Sequence, residues 1–403
     1  MGPDPAVPPR EREVITEPNA TPHVDYRAGW STVELEDLRR LARRFFETEA
    51  VPQRERWEAQ HHADRSFWTK AGELGLVTAM IPERFGGNGA TFLHEAVIIE
   101  EQARSLVSGW GNHVHSIAAH YLMAFGTAAQ HAQWLPRMAK GELIGAIAMS
   151  EPGAGSDLQA MTTRAVRQGD EYVVNGSKTF ITNGLLADVV VLAVKTDPAL
   201  GAKGISLLVV ETGDGLRGFR RGEPLRKIGM SAQDTTELFF DDVRVPVGNL
   251  LGPEGSGFAQ LMKQLPYERL LIAMHAVGTI ERALDETVRH VKGRAAFGKR
   301  LFDLQNTRFT LAECETAWRV TRSFLDECIE LQNREALDAP TAAMAKWWAT
   351  DQQCRIIDEC LQLHGGYGYI VDYPIARMYA DARVERIYGG ANEIMKELVA
   401  RSL

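Results

Sequence analysis

A chain of 403 residues is long enough for two or three folding units around a large buried core. Its 45% hydrophobic and 24% charged residues are the balance of an ordinary globular protein, and a net charge of -8 argues against nucleic acid as the main partner, because phosphate recognition needs a basic surface. No apolar run is long enough to cross a bilayer, which argues against a membrane partner as well.

Residues 1–28 are rich in proline and charge without an apolar period, and are expected to form a mobile arm. This stretch has no apolar signal core, and its acidic residues argue against a transit peptide, so the expected location is cytoplasmic. Order is expected from Ser31, where Ser31-Thr32-Val33-Glu34 has capping-box spacing and Leu35, Leu38, Leu41 and Phe45 follow at helical intervals. Helical patterns continue over 66–74, 93–104 and 128–140. From 144 the period changes to that of strands, with short β-branched runs at 171–174, 189–195, 205–211 and 236–243. Long amphipathic patterns return from 257 and are broken at Gly298, at 365–368 and at Gly389-Gly390. The four cysteines, Cys314, Cys328, Cys354 and Cys360, all fall here, form no Cys-x-x-Cys pair, and read as buried thiols of a reducing compartment. Helices, strands and helices in that order, without βαβ alternation, predict an α+β protein: an arm at 1–28, a helical domain at 29–143, a β domain at 144–254 and a helical domain at 255–403.

Three segments carry the chemistry: Ala148-Met149-Ser150-Glu151-Pro152-Gly153-Ala154-Gly155-Ser156-Asp157, Lys178-Thr179-Phe180-Ile181-Thr182-Asn183-Gly184, and Gln362-Leu363-His364-Gly365-Gly366-Tyr367-Gly368-Tyr369. Gly153, Gly155 and Ser156 form a short loop whose amides can approach an anion closely, although a glycine turn after a strand reads the same way. In this order, with residues 265–273 and 387–394, the segments resemble the acyl-CoA dehydrogenases, especially the long-chain and isovaleryl branches. The resemblance implies an N-terminal helical domain, a β-barrel-like middle domain and a C-terminal four-helix bundle. It implies FAD as cofactor, lined by Met149, Ser150, Gly155 and Ser156, with Phe180 over one face of the ring and Thr182 near N5. It also implies that Arg294, Phe297, Gln305, Gln362 and Gly366 reach the flavin of a neighbouring subunit, in a tetramer built as a dimer of dimers. Ala391 stands where relatives place a flavin-binding threonine.

Oxidising a thioester needs a base for the α-proton and a donor for the thioester oxygen. Many relatives take the carboxylate from the position of Gly389, whose side chain offers nothing but whose N–H can still donate. Glu268 is the candidate replacement. Its helical neighbours Leu261, Gln264, Leu265, Leu271, Ile272 and His275 form a mostly apolar stripe, where a carboxyl is either paired with a cation or functional and carries a raised pKa. Resemblance favours function, since Glu268 matches the base of the long-chain and isovaleryl branches. Pro266 is expected to bend the helix and help aim it. Tyr388 and Arg269 match positions near the bound thioester, with Ser156 beside them, although a core aromatic and a core ion pair read equally well. Glu393 is the rival acid, read as a first-turn residue after an Asn392 cap. The pocket floor is expected around 114–121, where Ala118 and Ala119 leave room. His113, His115 and His120 match no common zinc spacing, so no metal is expected.

The expected function is oxidation of acyl-CoA to trans-2-enoyl-CoA with electron transfer flavoprotein as acceptor. Three alternatives share the sequence features: the same oxidation on a carrier-protein-bound chain, an oxidase or monooxygenase that uses oxygen, and a non-catalytic flavin- or thioester-binding homologue.

Overall fold

The computed structural model describes residues 26–213 and 215–403. The greater part of the expected arm, residues 1–25, lies outside the described residues. Packing starts earlier than Ser31. The Tyr26 hydroxyl and Trp30 Nε1 both donate to Asp326, and Tyr26 meets Trp318 edge-on at 5.6 Å.

Six helices come first: α1 (Val33–Phe45), α2 (Arg54–Gln60), α3 (Arg65–Glu73), α4 (Phe92–Arg104), α5 (Asn112–Phe125) and α6 (Ala128–Ala139). The cap of α1 sits one residue later than its sequence spacing suggests. Thr32 Oγ1 accepts from Leu35 N at 3.3 Å, while Ser31 donates to Glu36. Helix α4 carries acids on buried positions, and two of them, Glu100 and Glu101, are claimed by cations from other elements. Arg39 and Arg43 of α1 reach Glu100 and Glu101 at 2.8–3.0 Å, and Arg322 reaches Glu100 from the C-terminal helices. Removing one member would strand a buried charge, at roughly 3–5 kcal/mol.

The middle segment holds β1 (Gly145–Ala148), β2 (Arg164–Gln168), β3 (Glu171–Thr182), β4 (Val189–Lys195), β5 (Ile205–Glu211), β6 (Phe219–Arg221) and β7 (Thr235–Pro246). They form one sheet in the order β1-β4-β2-β3-β7-β6, with β5 on β4. Strand β4 shows no polar alternation because both its faces are covered. Val189, Val191 and Ala193 enter the core shared with the helices, while Val190, Leu192 and Val194 enter the core of the sheet. Strand β3 runs through the second chemical segment, and its register on β7 shifts between Lys178 and Ile181. That bulge re-aims the residues that follow.

The last segment begins with α7 (Gly257–Gly293), which continues unbroken through Pro266. A small hairpin, β8 (Ala295–Ala296) and β9 (Lys299–Arg300), leads into α8 (Gln305–Asn333), then α9 (Ala339–His364), α10 (Pro374–Ala382) and α11 (Asn392–Ala400). Val288 and Val291 of α7 pack with Leu311 of α8, with Leu363 of α9, and with Leu301 and Phe302 from the turn after the hairpin, which puts the hairpin, the start of α8 and the end of α9 at one end of the bundle. The molecule is therefore α+β, helical at both ends with a β domain between. No helix among the described residues is long and apolar enough to cross a membrane.

Candidate active site

Glu268 lies on α7, 4% exposed, among Leu261, Leu271 and Ile272. Among the described residues its hydrogen-bond partner is a hydroxyl and not a cation. The Tyr121 hydroxyl of α5 donates to its Oε1 at 2.8 Å. Burial raises the carboxyl pKa to about 7, against the Tyr121 hydrogen bond and the charge of Arg269, which both pull it down. Arg269 is buried beside it, and its Nε donates to the Gly389 carbonyl at 3.5 Å.

Gly389 and Gly390 form the turn before α11, with φ of 66° and 94°. A Cβ built on Gly389 would stand 2.3 Å from Cδ1 of Ile272, one helical turn beyond Glu268. The tip of Ile272 thus stands where a side chain at 389 would begin and would have to turn aside for one, while the left-handed conformation by itself favours glycine. Lys346 of α9 is fully buried and donates to the Gly390 carbonyl at 2.8 Å and to Asn392 Oδ1 at 2.9 Å. Asn392 in turn donates to Thr350 Oγ1 and Asp351, both at 2.9 Å. Asn392 is therefore not a cap: Ala391 holds the cap position and Asn392 is a buried anchor. Glu393 is exposed in the first turn of α11, and Tyr388 is half-buried. Four positions before Gly389, Glu385 accepts from His275 Nδ1 of α7 at 2.6 Å, so the loop is tied to the same helix that carries Glu268.

The first two chemical segments are joined edge to edge. Thr179 N donates to the Ser150 carbonyl at 3.0 Å, and buried Lys178 reaches the Met149 carbonyl at 2.9 Å and Glu151 Oε1 at 2.8 Å. Glu151 also accepts from the amides of Thr162 and Thr163, and these cationic and amide donors hold its pKa down near 2 although burial works the other way. Around this fixed base, Met149 and Ser150 are half-buried, Gly155 and Ser156 are exposed, and added Cβ atoms at Gly153 and Gly155 would meet nothing within 4 Å. Thr182 is half-buried at the end of β3. Phe180 is 71% exposed among the described residues with φ of 60°, a strained setting for an aromatic residue. Phe180 is therefore not part of the strand core.

Arg294, Phe297, Gln305, Gln362 and Gly366 are all exposed at the one end of the C-terminal bundle. Phe297 is 94% exposed with φ of 52°, and the Arg294 guanidinium lies 5.3 Å from the Tyr367 ring centre. Tyr369, Ile370 and Val371 extend the exposed apolar surface.

One sequence expectation changes. Ala118 leaves no room for a ligand, because it is fully buried against the backbone at Gly145. The helix contributes Tyr121 instead. The histidines have separate partners. His115 receives Gly145 N at 2.9 Å and meets the Met138 carbonyl at 3.2 Å, while His120 stacks on Tyr267 at 4.0 Å. No cluster of three or more metal-ligating side chains occurs among the described residues. Sequence reasoning missed Tyr121, Ile272 and Lys346. Lys346 alone carried a local signal: it shares helical spacing with Ala342, Ala349 and Gln353, all buried, the same anomaly that exposes Glu268.

The chain matches three family domains in succession: acyl-CoA dehydrogenase N-terminal domain over residues 32–142, middle domain over 146–243 and C-terminal domain over 255–403. It is 48% identical over 373 residues to the long-chain specific acyl-CoA dehydrogenase, mitochondrial, of Rattus norvegicus, covering 92% of this chain and 86% of that one. The crystal structure of an acyl-CoA dehydrogenase from Geobacillus kaustophilus superimposes with a TM-score of 0.91 at 46% identity, over 93% of this chain and 99% of the other. An acyl-CoA dehydrogenase from Bacillus anthracis, complexed with FAD, gives 0.87 at 28% identity, over 94% and 69%.

Proposed function

Because the chain belongs to the acyl-CoA dehydrogenase family, we propose that it oxidises saturated acyl-CoA thioesters to trans-2-enoyl-CoA with Glu268 as the base. The observation that carries this is a carboxyl buried among apolar side chains, hydrogen-bonded by one hydroxyl and in no ion pair among the described residues, with a pKa of about 7. A base poised there is ionised in half the molecules near neutrality and strong enough to take an acidified α-proton. The Gly389 N–H is the donor to the thioester oxygen, where it stabilises the charge that grows as the proton leaves. Lys346, Arg269 and Asn392 hold the backbone that presents it.

The residues fit FAD. The open backbone at Gly153 and Gly155 leaves space for close approach, Phe180 presents an uncovered ring, and Arg294 supplies a permanent cation for a pyrophosphate. When bound, FAD accepts the β-hydride at N5. Met149, Ser150, Ser156 and Thr182 line it from this chain. Arg294, Phe297, Gln305, Gln362 and Gly366 serve the site of a second copy, which supports a tetramer built as a pair of dimers and gives Phe297 and its apolar neighbours a cover. Ser156, Arg269 and Tyr388 contact the thioester substrate, and electron transfer flavoprotein takes the electrons. The base on α7, together with the likeness to a long-chain specific enzyme, favours longer or branched acyl chains.

The test is anaerobic titration of Glu268→Gln with acyl-CoA. The variant is expected to stay yellow with bound FAD and to resist bleaching by substrates that bleach the wild type. Bleaching at the wild-type rate would remove Glu268 from the mechanism. A screen of straight, branched and ring-bearing acyl-CoAs then ranks substrates, and carrier-bound chains in the same screen separate a biosynthetic role.

A further inference from the structure

We propose that Tyr121 is a positioning residue for proton transfer, holding one oxygen of Glu268 so that the carboxylate stays ionised with its other oxygen free for the α-carbon. The inference rests on the assignment of Glu268 as base. Tyr121 is fully buried on α5, and its hydroxyl meets Glu268 Oε1 at 2.8 Å across 147 positions of sequence. No other hydrogen bond to this carboxyl forms among the described residues. A glutamate side chain turns about three bonds, and one fixed donor selects among the resulting rotamers.

The surroundings keep that donor dedicated. Glu95 of α4, the other buried acid nearby, is claimed by the hydroxyl of Tyr267 at 2.8 Å. His120 stacks on the Tyr267 ring and stands 3.7 Å from Glu95, so neither group competes for Glu268. The charged and titratable groups around the base are therefore Tyr121 on α5, Arg269 and Tyr267 on α7, and Glu95 and His120 behind Tyr267. Burial and the adjoining carboxylate keep the Tyr121 phenol well above its usual range, so it remains a neutral donor throughout the working pH. A donor of this kind favours the ionised form of its acceptor.

The test compares the holoenzyme with Tyr121→Phe and with site-specific 3-fluorotyrosine at 121, by anaerobic single-turnover bleaching with a straight-chain acyl-CoA from about pH 6 to 9. Losing the hydroxyl is expected to move the acid limb of the rate profile upward by about one pH unit and to lower the plateau rate roughly tenfold, with FAD content and substrate affinity retained. The fluorinated ring, a stronger donor of nearly the same shape, is expected to move the limb downward, and it decides the matter if the phenylalanine variant does not fold. Profiles that superimpose on the wild type for the variants that fold overturn the proposal. Glu268→Gln in the same series separates the two claims. If it bleaches normally, the base assignment falls; if it is silent while the Tyr121 variants match wild type, only the role of Tyr121 falls.

Discussion

Replacing Glu268 with glutamine is expected to make the protein more stable above neutral pH while it abolishes substrate oxidation. The carboxyl titrates at about 7 in the fold against an ordinary value of 4.5. A raised pKa means the folded protein binds the proton more tightly than the unfolded chain does, so the protonated acid is tolerated below pH 4.5 and stability drains away as pH rises toward 7. The gap of about 2.5 units, at about 1.36 kcal/mol per unit, amounts to roughly 3 kcal/mol withheld from the wild type at alkaline pH. Glutamine keeps an acceptor for Tyr121 and carries no charge, so it escapes this loss. Urea unfolding of both proteins at about pH 4.5 and about pH 8.5, at fixed protein and FAD concentration, gives the comparison. The expected result is near-equality at the acid end and a lead of about 3 kcal/mol for the variant at the alkaline end. A difference that does not change with pH would refute the reasoning, because it would mean that Glu268 is not desolvated in the folded protein.

Gly389→Ala is expected to cost roughly 2–4 kcal/mol, from a left-handed residue with a Cβ and from the clash with Ile272, and Ile272→Ala in the same chain should recover part of it; thermal unfolding of the single and double variants measures both. Lys346→Met should release the Gly390 carbonyl and Asn392, lowering kcat at least tenfold with FAD still bound, since hydrogen bonds to a charged group contribute about 1.5–3 kcal/mol each; unchanged turnover would show that the turn holds without the lysine. Phe180→Gly should raise the stability of the FAD-free protein by about 1 kcal/mol through relief of its positive φ while weakening FAD binding, which calorimetry of the two forms separates. Lys178→Met should destabilise by roughly 3–5 kcal/mol, and Lys178→Met with Glu151→Leu by less, because only the single change leaves a buried charge alone; a larger loss in the double variant would count against the pair as the cause.

Much of the architecture was legible because the hydrophobic period changes with the element. The run 189–195 read as a strand even without alternation, and the structure explains the missing polar residues by a second core on the far side. Glu268 was legible for the opposite reason: an acid on an apolar helical stripe is an anomaly at the scale of two turns. Its partner was not, since nothing near residue 121 marks a tyrosine that will meet residue 268, and an ion pair was an equally reasonable reading. The same limit hid Ile272, an unremarkable aliphatic residue until the turn at 389 is folded against it. Asn392 illustrates a local rule yielding to tertiary demand: its sequence position suits a cap, yet Lys346 and Thr350 draw the side chain inward.

The contact between Ile272 and Gly389 also acts as a ratchet. Any single step toward an acid at 389 drives a side chain into a methyl group, and any single step that trims residue 272 first opens a hole in the helix packing, worth roughly 2–5 kcal/mol for isoleucine to alanine. Both intermediates lie uphill of where the chain now stands. Within this sequence, an acid at 389 therefore comes more easily once the side chain at 272 has turned or been trimmed.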